Sequence, residues 1–177
     1  MKRTIDSSET KTLSPNFRTS VRAENSAIKA VEEVLAEHPF LKGLKPAHLR
    51  VLADNAMRMR YKPNEVIFRE GDPANRFYLI EEGKVILESP SHDDPAVSIQ
   101  TMGPGDVLGW SWLFPPYYWH FDARVLEPAT AIFFYGTRLR EQCEGDHDLG
   151  YELMKRMAAV VIQRLQATRK QLLDAQH

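Results

Sequence analysis

The spacing of the apolar residues changes twice along this chain of 177 residues, and these changes constrain the fold more than any other feature. Between Met57 and Phe134, short runs of alternating apolar and polar residues are separated by Gly or Pro, a pattern typical of β-strands. On both sides of this stretch, apolar residues recur every three or four positions, as they do along one face of a helix. Seven or eight short strands at this spacing predict a jelly roll or a barrel. The predicted strands are Met57–Tyr61, Val66–Phe68, Phe77–Ile80, Lys84–Leu87, Val97–Thr101, Asp122–Val125 and Ala131–Phe134.

The predicted fold class is therefore mainly β with flanking α. We expect an eight-stranded double-stranded β-helix, or jelly roll, with N-terminal helices and a long C-terminal helix. Residues 1–24 are polar and aperiodic, and they predict a flexible N-terminal arm. Residues 25–145 predict the roll together with helices near Ser26 and from Pro46, and residues 146–177 predict the long C-terminal helix.

The charge balance and the residue usage exclude several classes of protein. The net charge of −1 gives no overall attraction to nucleic acid or to an anionic membrane. The longest apolar runs are far too short to span a bilayer, and the N-terminus lacks the apolar stretch of a signal peptide, so we expect a cytoplasmic protein. The single cysteine excludes an internal disulfide. The six histidines are scattered, unlike the paired ligands of a metal-dependent cupin, so no metal site is expected.

The long C-terminal helix carries an apolar face that narrows along its length. The wide first half suits packing on the roll, whereas the second half has the heptad spacing of a coiled-coil seam. A parallel homodimer through this helix is the favoured interpretation, and a helix that folds back entirely on its own roll is the alternative. The predicted dimer interface consists of Met154, Ala158, Val161, Leu165, Thr168 and Leu172.

An aromatic segment follows the tight turn GPGDVLG, which ends at Gly109. The segment WSWLFPPYYWHF (Trp110–Phe121) holds all three tryptophans of the chain, and Pro115 and Pro116 exclude a regular helix or a central strand across it. A glycine-bounded turn that leads into an aromatic loop is typical of a pocket wall. The sequence leaves open whether these side chains line a site for a small-molecule ligand or fill it themselves.

Two motifs and the order of the elements resemble the cyclic nucleotide-binding domain family over residues 27–173. FREGDPANRFYLIEEGKV (Phe68–Val85) is similar to the family's hairpin with its Gly-Asp turn, and PGDVLG with DARVLEPATAIF is similar to its phosphate-binding cassette and the adjoining strands. RLQAT (Arg164–Thr168) is similar to the dimer helix in the effector domain of bacterial catabolite activator-like regulators. The resemblance implies a cyclic nucleotide as ligand and a contact between Thr168 and the nucleotide base.

The cassette departs from the family pattern at the positions that hold the nucleotide. Where the family has a Glu that binds the ribose hydroxyl, this chain has Trp110. Where the family has an Arg followed by Ser or Thr to hold the cyclic phosphate, this chain has Phe121 and Asp122. The planar fork of Arg makes charge-assisted bidentate bonds to phosphate, so its loss predicts weak or absent binding of cyclic nucleotides.

Two cations near the cassette are the candidates to replace the missing arginine. Arg124 points away from the face that Phe121 and Ala123 share, because side chains alternate along a strand. His120 fits an aromatic-belt histidine that donates to a backbone carbonyl, and an imidazole bound to an anion would make binding pH-dependent. The candidate ligand-binding positions are Gly109, Trp110, Ser111, Trp112, His120, Phe121, Asp122, Ala123, Arg124 and Thr168.

These observations predict a stand-alone regulatory or sensor module with a degenerate cassette, which signals through a dimer or through an unknown protein partner. The alternative is a protein-interaction module whose aromatic pocket is filled by its own side chains. A third hypothesis is a genuine cAMP or cGMP binder with a shifted cassette register. No catalytic residues and no cofactor besides such a nucleotide are expected, so the chain is predicted not to be an enzyme. No helix-turn-helix module follows the long helix, so DNA is not an expected partner.

Overall fold

The computed structural model describes residues 30–90 and 96–174. The helices are α1 (residues 30–37), α2 (Pro46–Ala53), α3 (Gly136–Gly145) and α4 (His147–Asp174). The strands are β1 (Ala56–Tyr61), β2 (Val66–Phe68), β3 (Arg76–Ser89), β4 (Val97–Met102), β5 (Val107–Leu108) and β6 (Asp122–Tyr135). A mainly β fold with helices before the strands and a long C-terminal helix is therefore confirmed. The predicted arm of residues 1–24 and the predicted helix start near Ser26 lie outside the described residues.

Two strands of 14 residues, β3 and β6, form the centre of the sheet. They pair antiparallel from Arg76 opposite Tyr135 to Glu88 opposite Asp122. β6 also pairs with β1 and β2, and β3 also pairs with β4 and β5, so each shorter strand covers only part of a long one. Each of the two long strands therefore pairs with two shorter strands as well as with the other long strand, and joins them into one sheet.

The structure corrects the predicted number of strands. Six strands rather than eight occur in the described residues, because two pairs of the seven predicted segments are continuous and one strand that was not predicted, β5, is added. Gly83 bends β3 without ending it: its φ is +83°, and a Cβ there would collide with the carbonyl oxygen of Pro128 in β6. Glycine in this strand marks a close approach of two backbones rather than a turn. The merged segments are Phe77–Ile80 with Lys84–Leu87 in β3, and Asp122–Val125 with Ala131–Phe134 in β6.

Side chains on the two faces of the sheet enter two separate apolar clusters. In β3, Phe77 and Leu79 pack toward the helices, whereas Tyr78 and Ile80 point into the roll, as alternation along a strand requires. The helix-side cluster includes Leu35, Leu41, Leu52, Phe77, Leu79, Val107, Trp112, Phe134, Leu139, Leu149, Leu153 and Met157. The roll-interior cluster includes Phe68, Tyr78, Ile80, Leu87, Leu108, Trp119, Ala123, Val125 and Phe133.

The first half of α4 packs on the roll. The carboxylate of Asp146 accepts hydrogen bonds from the backbone N–H groups of Asp148 (3.1 Å) and Leu149 (3.2 Å), which caps the start of this helix. The buried residues of α4 are Leu149, Leu153 and Met157. None of the described helices is both long enough and apolar enough to cross a membrane.

Candidate functional site

The aromatic loop, Gly109–Phe121, joins β5 to β6 and sends its rings to both faces of the sheet. It begins with one turn of 3₁₀ helix, Trp110–Trp112. Trp112 is fully buried in the helix-side cluster, where it stacks on Phe77 with ring centroids 4.9 Å apart. Trp119 is 5% exposed and belongs to the roll-interior cluster. The loop therefore contributes one tryptophan to each apolar cluster.

Trp119 lies in the roll interior directly against the cassette glycine. Its indole stacks on Phe68 with ring centroids 3.9 Å apart and ring planes 13° apart. Two ring carbons of Trp119 lie 2.7 and 2.8 Å from the position that a Cβ on Gly109 would have, and the φ of Gly109 is +91°. Because both the ring contact and the backbone conformation favour glycine, no other residue fits here without rearrangement. The indole of Trp119 thus covers the backbone of Gly109.

Backbone hydrogen bonds hold the aromatic loop against the turn between β2 and β3. The N–H of Trp119 donates to the carbonyl of Asp72 (2.9 Å), and the N–H of Gly71 donates to the carbonyl of Trp119 (2.9 Å). The N–H of Ala74 donates to the carbonyl of Tyr117 (2.7 Å). The position of the indole is therefore fixed by backbone pairing as well as by ring packing.

Trp110 occupies the position where the resemblance implies a ribose-binding Glu. It is half-buried and stacks on His120 with ring centroids 5.0 Å apart and ring planes 21° apart. Nδ1 of His120 lies 3.0 Å from the hydroxyl oxygen of Ser111, which is itself buried. The histidine thus pairs with a side-chain hydroxyl, and the predicted bond to a backbone carbonyl is wrong for Nδ1.

The start of β6 carries the residues that replace the family's phosphate ligands. Phe121 is half-buried and packs against the roll-interior cluster, and Ala123 is fully buried. Asp122 lies between them on the other strand face, where its Oδ1 accepts a hydrogen bond from the N–H of Glu70 at 2.8 Å. The roll side of the cassette therefore presents an aromatic ring and a methyl group.

Arg124 is the only Lys or Arg in residues 109–125 of the sequence, and it is bound outside the roll. Its Nε and Nη2 donate to the two carboxylate oxygens of Glu88 at 3.0 and 2.5 Å, and its Nη1 lies 3.4 Å from Oδ1 of Asn64. The hydrogen bond to Glu88 raises the pKa of Arg124. This bidentate pair occupies the planar fork that a phosphate would need.

Sequence reasoning missed two side chains that position the aromatic loop. Phe68 is predicted only as a strand residue, although the period of two that places it in a strand also indicates that it points inward. Arg140 of α3 donates from Nη1 to the carbonyl of Trp112, and its guanidinium lies 4.3 Å from the ring centroid of Tyr117. No sequence signal connects Arg140 with the loop, because the contact depends on how α3 packs.

The predicted dimer residues share one stripe of α4 that the roll leaves uncovered. At 3.6 residues per turn, this stripe is centred roughly 100° around the helix from the buried residues of α4. Leu165 is 69% exposed and Leu172 is 63% exposed. The residues of the stripe are Met154, Ala158, Val161, Leu165, Thr168 and Leu172; Val161 is half-buried and the others are exposed.

Thr168 lies on the exposed stripe, in a surface groove that Leu165, Arg169 and Leu172 also line. The groove is formed by residues of α4 itself. The predicted contact between Thr168 and a nucleotide base stays a prediction, as does the predicted homodimer.

Comparisons with known proteins identify the family to which the fold belongs. The family model for the cyclic nucleotide-binding domain matches residues 58–146. A solved structure from Geobacter metallireducens GS-15, described as a cyclic nucleotide-binding protein, is similar with a TM-score of 0.70 and 31% sequence identity. The match covers 76% of this chain and 97% of that one.

Two curated relatives are regulatory proteins. The chain is 24% identical over 144 residues to the CRP-like cAMP-activated global transcriptional regulator of Mycobacterium tuberculosis, covering 81% of this chain. It is 37% identical over 81 residues to the cAMP-dependent protein kinase type II regulatory subunit of Drosophila melanogaster, covering 46% of this chain. The chain spans 62% of the length of the first relative and 21% of the second.

Proposed function

Because the chain belongs to the cyclic nucleotide-binding domain family, we propose that it is a non-enzymatic regulatory module whose roll interior is filled by its own aromatic side chains. In this proposal the cassette has lost tight binding of cAMP and cGMP, and the module acts through a dimer or a protein partner. The observation that carries the proposal is the stack of Phe68 on Trp119, seated against Gly109. Its regulatory character is supported by the regulatory relatives.

A cyclic phosphate at this cassette lacks its cationic partner. Phe121 stands in place of the family's Arg, and Arg124 is paired with Glu88 on the outer face. Loss of a buried charge pair costs about 2–5 kcal/mol of affinity. That cost corresponds to a factor of roughly 30 to several thousand in the dissociation constant. Asp122 faces away from the roll, so the deficit comes from the missing cation rather than from repulsion inside the site.

A purine base in the roll interior would also have to displace Trp119. Removing a buried tryptophan from its contacts costs roughly 3–5 kcal/mol, by analogy with Trp→Ala substitutions. Stacking of a base on an aromatic side chain returns only about 1–3 kcal/mol. Because the loss exceeds the gain, we expect dissociation constants for cAMP and cGMP above about 100 µM.

A module that binds no nucleotide has to act through contacts on its surface. The exposed stripe of α4 is the surface that we propose for these contacts. Leu165 and Leu172 lie at heptad positions and are mostly exposed in the single chain. Pairing of two α4 helices would cover these side chains in the manner of a coiled coil. We therefore propose that the exposed stripe of α4 forms a homodimer.

Calorimetric titration of the full chain with cAMP and cGMP, at about pH 6 and about pH 8, tests the loss of nucleotide binding. We expect no saturable heat at ligand concentrations up to about 100 µM at either pH. A dissociation constant in the low micromolar range would contradict the proposal. In that case His120→Ala and Arg124→Ala would distinguish which side chain holds the phosphate.

A pair of restored variants separates the filled interior from the missing anchors. The first combines Trp110→Glu, Phe121→Arg and Asp122→Ser, which rebuilds the family's ribose and phosphate ligands. The second adds Trp119→Ala, which empties the space beside Gly109. If the roll is self-filled, only the second variant binds cAMP, whereas tight binding by the first would show that the indole does not block the site. Arg124→Ala in the second background is the matched control and should leave the affinity unchanged.

A further inference from the structure

A cavity of about 300 Å³ lies on the helix side of the sheet, between α4 and the segment that joins β4 to β5. Val107 lines this cavity and belongs to the helix-side cluster, whereas the next residue, Leu108, points into the roll beside Trp119. At β5 the cavity therefore lies on the face opposite the filled interior, whereas Met102 at the end of β4, a roll-interior residue, also lines it. Its volume is at the lower end of the range for small-molecule sites.

Arg164 of α4 brings a buried positive charge to this cavity. Its Nη2 donates to the backbone carbonyl of Val107, while its Nε is buried without a hydrogen-bond partner among the described residues. Burial lowers the pKa of Arg164 to about 10, and the carboxylate of Asp106 opposes this shift. The guanidinium therefore stays charged at neutral pH and keeps at least one donor unused.

Arg156 reaches the same cavity from two turns earlier on α4. Its Nη2 lies 3.2 Å from a carboxylate oxygen of Glu152, and its side chain is 19% exposed. Its Nε is also buried and, within the described part of the chain, has no hydrogen-bond acceptor. Two guanidinium groups on one helix face thus leave the same kind of donor unsatisfied.

The positive charge that lines the cavity is only partly paired within the chain, since Glu152 pairs with Arg156 from outside the lining. The described lining contains both arginines but only one carboxylate, Asp106, whose Oδ2 already accepts a hydrogen bond from the N–H of Gly103 at 2.8 Å. Buried polar groups normally find partners, and buried charges do so most strongly. An oxyanion supplies acceptors in the geometry that a guanidinium fork matches. Phe40 and Val160 add apolar area to the same wall.

We infer that this cavity binds a small molecule with a phosphate or carboxylate group, which Arg156 and Arg164 hold while an apolar or aromatic body packs against Phe40 and Val160. The ligand would contact α4 and the β4–β5 segment at once. Binding would therefore fasten the dimer helix to the sheet from outside the roll, independently of the cassette.

A two-dimensional ¹H–¹⁵N NMR titration of the full chain tests this site. The probes are phenyl phosphate, benzoate and inorganic phosphate, with phenol as the uncharged control. We expect saturable shifts with phenyl phosphate or benzoate at Gly105, Gln163 and the Nε–H signals of the two arginines, with a dissociation constant below about 1 mM. Phenol should shift none of them. Comparison of phosphate with carboxylate then identifies the preferred anion.

Matched variants identify the residues responsible. Arg164→Met and Arg156→Met should each weaken binding at least about tenfold, whereas Arg138→Met, which removes an exposed cation from α3, should not. Ala159→Phe keeps both arginines and fills the cavity, so it should also abolish binding, and it tests the site if an arginine variant fails to fold. No saturable shift, equal weakening by Arg138→Met, or shifts confined to Gly109 and the indole N–H of Trp119 would overturn the inference.

Discussion

The two faces of the sheet satisfy their side chains in different ways. In the roll interior, Trp119 is stacked on Phe68 and pressed against Gly109, so the chain itself occupies the space beside the cassette. On the helix side, Arg156 and Arg164 keep buried donors that find no acceptor among the described residues. The same side carries the exposed apolar stripe of α4. The space beside the cassette is thus filled by the chain itself, whereas the α4 side leaves buried donors and apolar area uncovered.

This difference separates stability from binding within one fold. A filled interior contributes packing energy but leaves no room for a ligand, because protein cores are packed as densely as organic crystals. A face with unpaired buried donors and uncovered apolar area is stabilised further only when a partner or ligand covers it. In our proposal, the fold of the cyclic nucleotide-binding domain persists while the interaction chemistry lies on the helix side.

The largest expected effect comes from removing the Trp119 indole from the roll interior. Trp119→Ala should lower the free energy of unfolding by about 3–5 kcal/mol, because it removes the stack on Phe68 and leaves a cavity in the roll interior. Urea unfolding followed by circular dichroism measures this change. Tyr118→Ala is the control, since Tyr118 is 50% exposed and its loss should cost less than about 1 kcal/mol. Equal losses for the two variants would mean that the indole is not part of the core.

A smaller effect is expected from placing a negative charge on the exposed stripe of α4. Leu165→Glu should weaken dimerisation by about 2–3 kcal/mol, or roughly a hundredfold, because two carboxylates would face each other across the α4 pair. Light scattering at about 10 µM compares the masses of wild type and variant in solution. Gln166→Glu adds the same charge beside the stripe and should leave the dimer intact. A monomeric wild type would contradict the use of this stripe as an interface.

Substitutions at Arg124 and Glu88 test whether the Arg124 side chain lies outside the roll. Their side chains are 32% and 13% exposed, so Arg124→Ala should cost only about 1 kcal/mol of stability. A double-mutant cycle with Glu88→Ala measures the coupling between the two side chains. Loss of cAMP binding on Arg124→Ala in the restored background that also carries Trp119→Ala would break the comparison, because the arginine would then serve the interior.

The smallest expected effect is a dependence of stability on pH from the helix side. Burial lowers the pKa of His38 below 6.5, although Glu81 and Asp106 partly oppose the shift, and Nδ1 accepts a hydrogen bond from the N–H of Phe40 at 3.2 Å. Because the folded pKa lies below the unfolded one, the unfolded state binds more protons between the two values. The contribution of His38 to stability is therefore present above pH 6.5 and is lost as the pH falls through the folded pKa.

Urea unfolding at about pH 7.5 and about pH 5 measures the effect of His38. Wild type should be less stable at the lower pH, and His38→Asn should show a smaller difference between the two conditions. His48→Asn is the comparison variant, since His48 is also buried on the helix side. An unchanged pH dependence in His38→Asn would assign the effect to other groups.

The strands could be predicted from the sequence because their signal is local. Met57–Tyr61 alternates apolar and polar residues with the period of a strand, and the structure places β1 there, although Met57 and Met59 are exposed. Pro46 begins a helix because its fixed φ and missing N–H suit the first turn. The exposed stripe around Leu165 was also visible, since a heptad spacing describes one face of a helix without reference to the rest of the chain.

The parts that could not be predicted depend on contacts between distant segments. Gly83 is locally indistinguishable from a turn glycine, and only the approach of Pro128 from β6 shows that the strand continues. Trp112 and Trp119 belong to one loop without any period, so the sequence does not say which face each ring enters. The acceptors of Arg124 and Arg140 likewise depend on how separate elements pack.

The placement of the tryptophans has a consequence for observing the protein in solution. All three lie in the aromatic loop, and Trp112, Trp119 and Trp110 have three different surroundings: helix-side rings, the roll interior, and the half-buried rim beside His120. Ultraviolet emission excited through indole therefore originates entirely from this loop. Local opening of the loop would shift the emission toward longer wavelengths, whereas separation of two α4 helices would leave its colour nearly unchanged. The chain thus carries its own optical probe in the segment that follows the turn ending at Gly109.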